Sequence, residues 1–316
     1  MYEALFRNKF TNELLLYIYL LVLLLISPFC FIWELIHTLR SCFRCDENIS
    51  GKVVLITGAS SGIGEQLTYE YARRGARLAI VSTNKPESPL KKVADKARLL
   101  GSPDVLFMFA DVSKVDECRM FIDGTIKHFG HLDHLVCNAG IGPVYSTDMD
   151  VTKFGPVMDV NFWGSVYPTH FAIPHLKKTN GKIIVNSSCA GVCNPPRHGV
   201  YNASKAALIS FYESLGHELF PTITVTILTL GFIRTRFITA KYSMNGIGVQ
   251  YRKDLGDVLL AMEAEPCAKA IVDGVCKGAT SITEPRFIKG FFLIKYLFPQ
   301  LHRLYLCTFS HKILKL

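Results

Sequence analysis

Val53-Val54-Leu55-Ile56 leads without a break into Thr57-Gly58-Ala59-Ser60-Ser61-Gly62-Ile63-Gly64, and a helix-like run from Glu65 to Arg74 follows, ended by Gly75. A short apolar strand, a glycine-rich turn and a helix make the opening of a dinucleotide-binding α/β unit. The glycines let the backbone approach a pyrophosphate, and the helix N-terminus offers it free N–H groups. The spacing here is G-x-x-x-G-x-G rather than G-x-G-x-x-G. Such a turn alone is weak evidence; the strand before it and the helix after it give it weight.

The alternation continues down the chain. Arg77 to Ser82, Val105 to Ala110, Leu132 to Val136, Lys182 to Val185 and Thr222 to Leu228 read as strands. Pro89 to Leu100, Val115 to Phe129, a long region containing Asn161-Phe162-Trp163-Gly164 and the segment opening at Tyr201 read as helices. This pattern predicts an α/β fold with a doubly wound parallel sheet of Rossmann type, covered on both faces. Ligands in that architecture sit beyond the strand C-termini. Gly58, Asp111, Asn138 and Ser188 all fall at strand ends, so they are expected at one crevice.

Ser188 to Lys205 carries the candidate chemistry. Residues four apart share a helix face, so Tyr201 and Lys205 are expected to point into one space. A phenol ordinarily ionises near pH 10, roughly. A lysine cation one turn away favours phenolate and brings the group toward use as a general acid/base. A serine hydroxyl at the strand mouth could hold a substrate carbonyl or alcohol oxygen beside it. A bare Y-x-x-x-K is more often incidental; the rest of the chain gives this one its meaning.

The 316 residues suffice for one α/β domain with extensions. The formal charge is +9, but from Pro285 to Leu316 there are six Lys/Arg and no Asp/Glu. A basic, aromatic tail suits an anionic membrane surface better than nucleic acid, so no nucleic-acid partner is expected. Leu14 to Trp33 is uncharged and long enough to cross a bilayer. Pro28 lies within it and is expected to kink a helix there, as a bend into one leaflet requires. Arg7 and Lys9 on one flank and Arg40 and Arg44 on the other leave the orientation open. Ten scattered cysteines argue for a reducing compartment over a disulfide scaffold. The Cys42/Cys45 pair has no partner pair to complete a zinc site, so no metal is expected. The expected organisation is an N-terminal membrane anchor and linker over 1–50, a dinucleotide-binding domain over 51–285, and a basic apolar tail over 286–316.

In these motifs, residues 52 to about 240 resemble the short-chain dehydrogenase/reductase family. The TGASSGIG turn, Asp111, the NAG at 138–140, Asn161, Ser188 and YNASK at 201–205 occur in the family's order. GKVVLITGASSGIGEQ, HFGHLDHLVCNAG, VMDVNFWGSVY and YNASKAAL, with the apolar N-terminus, are most similar to the plant 11β-hydroxysteroid dehydrogenase-like proteins, the steroleosins of oil bodies. The resemblance implies Tyr201 as general acid/base and Lys205 as the residue that lowers its pKa and binds the nicotinamide ribose. It implies Ser188 as the residue orienting the substrate oxygen, and Asn161 as the holder of a relay water behind Lys205. The cofactor would lie along Gly58, Ser60, Ser61, Gly62, Ile63, Gly64, Lys85, Asp111, Val112, Asn138, Ala139, Gly140, Tyr201, Lys205 and Thr235, with Asp111 and Asn138 flanking its adenosine half.

Three departures stand out. Cys137 precedes the NAG where the family often has Asn, Leu230-Gly231 replaces the usual Pro-Gly, and no arginine follows the second strand. No acid occurs from Ser82 to Pro86 either, and Lys85 could meet a 2′-phosphate. NADP is therefore the expected cofactor, with NAD the alternative. The expected reaction is hydride transfer to or from a hydroxyl or keto group of an apolar lipid, a hydroxysteroid or sterol first. A reductase of long-chain keto lipids and an inert lipid-droplet surface protein are the alternatives. Phe232 to Glu265, with Phe237, Tyr242, Met244, Tyr251 and Met262, is the expected substrate segment. The expected location is the surface of endoplasmic reticulum or lipid droplets, with the catalytic domain toward the cytosol. A homodimer is left open.

Overall fold

A computed structural model of the chain describes residues 9–42, 46–83, 89–142, 151–196, 198–235 and 261–313. Two compact units divide the chain, Met1–Glu47 and Asn48–Leu316. The helix of the first is α1 (Lys9–Cys42). Its residues from Glu13 to Trp33 are exposed and, by length and composition, long and apolar enough to span a membrane. Pro28 does not end this helix. Proline lacks the N–H that would bond the Leu24 carbonyl, and the Ser27 hydroxyl donates to that carbonyl at 3.0 Å instead. An apolar environment tolerates a proline once the freed acceptor is satisfied in this way.

The second unit is built on a parallel sheet of seven strands. They are β1 (Val53–Thr57), β2 (Arg77–Ser82), β3 (Val105–Phe109), β4 (His134–Cys137), β5 (Lys182–Asn186), β6 (Thr224–Leu228) and β9 (Ser281–Ile282). Their order is β3-β2-β1-β4-β5-β6-β9. The chain winds outward from β1 through β3, then returns to pair β4 with β1 on its other side. That reversal opens a crevice beyond the C-termini of β1 and β4, where ligands of such sheets bind.

Successive strand residues face opposite sides of a sheet, and here both sides are buried. Val54, Ile56, Leu78 and Ile80 pack with Leu67 and Tyr71 of α2 (Gly62–Arg73), Val93 of α3 (Leu90–Leu99) and Ile271 and Val275 of α7 (Ala264–Cys276). Val53, Leu55, Ile183 and Val185 pack with Phe121 of α4 (Val115–Phe129), Leu176 of α5 (Gly164–Thr179) and Leu208 and Tyr212 of α6 (Gly199–Leu219). Burying each such side chain stabilises the fold by about 1.5–3 kcal/mol, which is why these strands are unbroken apolar runs.

The fold adds what the sequence pattern did not reveal. α7 and the ribbon of β7 (Ile233–Arg234) with β8 (Met262–Glu263) follow the sixth strand. β9 exists through its pairing with β6, Ile227 to Ser281 and Leu228 to Ile282. Phe237, Tyr242, Met244 and Tyr251 of the expected substrate segment lie outside the described residues, as does Lys85. The tail forms α8 (Ile288–Leu297) and α9 (Pro299–Ile313). It packs Ile288 inward while Leu293, Tyr296, Leu297, Leu301 and Leu304 stay exposed.

Candidate active site

The glycine turn is held from behind by polar groups at strand ends. Thr57, fully buried, accepts at its hydroxyl from the backbone N–H groups of Asn138 and Ala139 at 3.0 and 3.1 Å. The Asn138 amide donates to the carbonyls of Thr57 and Gly58, and its oxygen accepts from Asn186 Nδ2 at 2.8 Å. Asn138 therefore braces β1 to β4 and β5, and its side chain is committed to the turn. Gly58 has φ of +67°, and a Cβ there would sit 2.8 Å from Ala139 Cα. Only glycine meets both demands. Gly62 lies against Thr235, since a Cβ on Gly62 would be 3.3 Å from the threonine Cβ. Ser60 accepts from the Ser82 hydroxyl at 2.8 Å, tying the turn to the end of β2.

Residues expected at the cofactor fit such a group. Ser61, extended at φ −163°, caps α2 without a side-chain bond. The first-turn N–H groups of that helix are thus left for an external anion. Asp111, at the mouth of β3, accepts at Oδ1 from the Ser113 N–H and hydroxyl. Val112 beneath it is buried against Gly164.

Lys205 is 4% exposed and donates to the Asn186 carbonyl at 2.7 Å. Its ammonium lies 5.7 Å from the centre of the Tyr201 ring, so the one-turn spacing does bring the two together. Burial pushes its pKa down to about 8. Keeping the charge at neutral pH costs on the order of 3 kcal/mol, which an anion or ribose bound beside it would offset. Asn161 is fully buried in a π-helical turn, Asp159–Trp163, a local form frequent at functional sites. Its oxygen accepts from the Ile141 N–H, and its amide donates to the Ile141 carbonyl and to Ser204 Oγ. Gly140 separates it from the lysine: a Cβ there would lie 3.3 Å from Asn161 Oδ1 and 3.6 Å from Lys205 Nζ.

The two serines after β5 divide the work. Ser187 donates to the Lys205 carbonyl at 2.8 Å, inside the fold. Ser188 accepts from the Ala190 N–H and donates weakly to the Leu230 carbonyl at 3.3 Å. A substrate oxygen could take that donor with little loss. Leu230 is 3% exposed and serves the core. Sequence reasoning assigned no role to Asn186 or His198. Asn186 joins Lys205 to Asn138; a polar residue closing an apolar strand was its only signal. His198 bonds the Pro196 carbonyl at 2.9 Å and meets the Tyr201 ring edge-on, with centroids 6.4 Å apart. Burial lowers its pKa, so the ring is neutral beside the phenol.

The lysine carries a pH signature. Its folded pKa, about 8, lies below the unfolded value of roughly 10.4. The ammonium is present below pH 8, and stability rises with pH between the two values as the unfolded chain binds the extra proton. Cofactor affinity should move the opposite way, weakening as pH rises through about 8 while the cation is lost. Titrating cofactor at a series of pH values tests this. Lys205→Met should bind weakly and without that slope; a slope that survives in the variant assigns it to another group.

A family model described as short chain dehydrogenase matches residues 52–246. An 11-beta-hydroxysteroid dehydrogenase-like protein (4A) of Arabidopsis thaliana is 45% identical over 297 residues, covering 93% of this chain and 96% of the relative. An 11-beta-hydroxysteroid dehydrogenase of Pinus massoniana is 42% identical, covering 86% of this chain and 79% of its own length. Among solved structures, a short chain dehydrogenase/reductase of Burkholderia phymatum in complex with NAD superposes with a TM-score of 0.71. At 24% identity it covers 80% of this chain and 96% of its own, a likeness of fold. A short-chain type dehydrogenase/reductase of Mycobacterium marinum is 27% identical, with a TM-score of 0.63 and coverage of 75% and 94%.

Proposed function

The chain belongs to the short chain dehydrogenase family, and from that premise we propose that it oxidises or reduces a hydroxyl or keto group on an apolar lipid, a hydroxysteroid or sterol first. The observation that supports this most is the buried Lys205 ammonium beside the Tyr201 ring, with Ser188 and the glycine turn both following C-terminal ends of strands of the one parallel sheet. Names of relatives from Arabidopsis and Pinus point to the same substrate class.

A bound nicotinamide cofactor supplies the hydride donor or acceptor. Tyr201 moves the proton at the substrate oxygen, and Ser188 Oγ holds that oxygen by a hydrogen bond. Lys205 favours the phenolate through its charge and offers remaining N–H donors to the ribose. Asn161 and Asn186 fix the lysine's surroundings from two sides. A screen of purified protein against hydroxysteroids and keto lipids, with each nicotinamide cofactor, tests the reading. Turnover confined to small polar alcohols would replace it.

NADP(H) is the cofactor this reading favours. β2 ends in Ser82, whose hydroxyl turns to Ser60, and no carboxylate follows before Pro86. An NAD-specific site ordinarily has one there. The expected result is a lower KM for NADP(H), with Lys85→Ala narrowing the gap several-fold. A strong preference for NAD that ignores Lys85→Ala sinks this assignment.

The membrane part of the reading is an anchor through α1, with the catalytic unit on the cytosolic face of endoplasmic reticulum or lipid droplets. Free thiols such as Cys189, Cys193 and Cys307 suit a reducing compartment. Since α1 runs on through Pro28, a single crossing satisfies its length as well as a bend into one leaflet does. Deleting residues 1–40 should release much of the protein from membranes. Protease added to intact microsomes should digest the catalytic unit; protection until detergent is added places it in the lumen.

A further inference from the structure

Two neighbours hold the Ser188 hydroxyl, and one C-terminal helix touches both of them. Ser188 Oγ accepts from the Ala190 N–H at 3.1 Å and donates to the Leu230 carbonyl at 3.3 Å. Ala190 opens a single helical turn, Ala190–Cys193. The Leu230 carbonyl belongs to the loop after β6 and also accepts from the Cys189 N–H at 2.8 Å. Where the serine hydroxyl points is therefore set by where that turn and that loop sit.

The turn is fixed from two sides. A Cβ on Gly191 would lie 2.7 Å from the Lys205 carbonyl carbon and 2.8 Å from the Ala206 nitrogen. The turn thus rests directly on the backbone of α6, one helical turn past Tyr201. At its far end the last carbonyls of a helix have no partner within it. There the Lys295 ammonium of α8 donates to the Val192 carbonyl, and a bond from a charged donor is stronger than a neutral one.

α8 secures the loop as well. Ile288 is 6% exposed, and its Cδ1 lies 1.9 Å from where a Cβ on Gly231 would be. Gly231 directly follows Leu230. Ile288 and Lys295 are two helical turns apart and so share one face of α8. That single face contacts both the turn and the loop that hold the serine.

We propose that Lys295 is a positioning residue for the reaction: by bracing the turn it keeps Ser188 Oγ in register with Tyr201, and α8 is part of the frame of the active site. This rests on the reading of Ser188 as the group that bonds the substrate oxygen.

The test uses full-length protein in detergent with saturating NADP(H) and two probes, corticosterone and phenanthrenequinone. The second is a diketone that needs no sterol recognition, so it keeps the test intact where the sterol is not turned over. Lys295→Met should lower kcat/KM ~10-fold, given that a displacement of about 1 Å costs on the order of 10²-fold. Cofactor Kd should not change, because Lys205 keeps its own bond to Asn186. Lys295→Arg retains a charged donor and should recover most of the loss. In a Ser188→Ala background Lys295→Met should cost nothing further, since residues that act as a unit are not additive. No loss in the parent, or a full ~10-fold loss in that background as well, overturns the proposal. Parent-like turnover by Ser188→Ala alone falls instead on the reading of the serine. Hydrogen exchange needs no substrate: peptides over residues 188–193 should exchange ~10-fold faster in Lys295→Met. Unchanged exchange there overturns the proposal whatever the turnover.

Discussion

Tyr201→Phe is expected to lower turnover at least ~10²-fold, the usual cost of losing a general acid/base, while cofactor binding stays near that of the parent. The substitution removes only the hydroxyl. The ring stays as the surface over which Lys205 sits, at 5.7 Å, and against which His198 packs edge-on. Lys205 keeps its bond to the Asn186 carbonyl, so the contact proposed for it with the ribose has no reason to change. Steady-state kinetics at saturating substrate, with cofactor titrated separately by fluorescence, checks both halves. Near-full turnover would remove Tyr201 from the chemistry; lost cofactor binding would make it a structural residue.

Gly64→Ala is expected to raise the cofactor Kd at least ~100-fold, equivalent to about 2.7 kcal/mol. An added Cβ would lie 2.3 Å from the Gly58 carbonyl oxygen and 2.5 Å from Asn138 Nδ2. Neither neighbour can give way cheaply: the first is backbone of the turn itself, and the second is held by Thr57, Gly58 and Asn186. Relief requires the start of α2 to move off the turn, which takes its N–H groups away from the pyrophosphate. The same overpacking should lower stability by ~1–3 kcal/mol. Thermal melting and cofactor titration of one preparation read both effects. Unchanged affinity in a folded variant would place the cofactor elsewhere.

Much of the fold was legible because parallel strands buried on both faces must be apolar without interruption. Val53 to Ile56 and Lys182 to Val185 therefore stood out as strands. β9 was not legible. Ser281 and Ile282 are two residues with no pattern of their own, and they become a strand only where β6 presents its edge. The register of Tyr201 and Lys205 was legible because helical periodicity is a local property. The fate of the Leu24 carbonyl that Pro28 frees was not, since it turns on the Ser27 hydroxyl, which donates to it.

By itself, then, the sequence determined the element order as far as β6, the glycine turn and the face shared by the phenol and the amine. Each of these follows from residues within a turn or a strand of one another. Tertiary structure alone decided how the polar groups are spent. Asn138 became a brace between three strands, Asn161 was committed to Ile141 and Ser204, and Ser187 was taken by the Lys205 carbonyl while Ser188 kept its place at the mouth. It also brought Cys193 and Asn194 to His302 and Arg303, more than a hundred positions on. The reason is physical: a buried polar group must be paired, and which partner it finds depends on where the chain crosses itself, which no local pattern records.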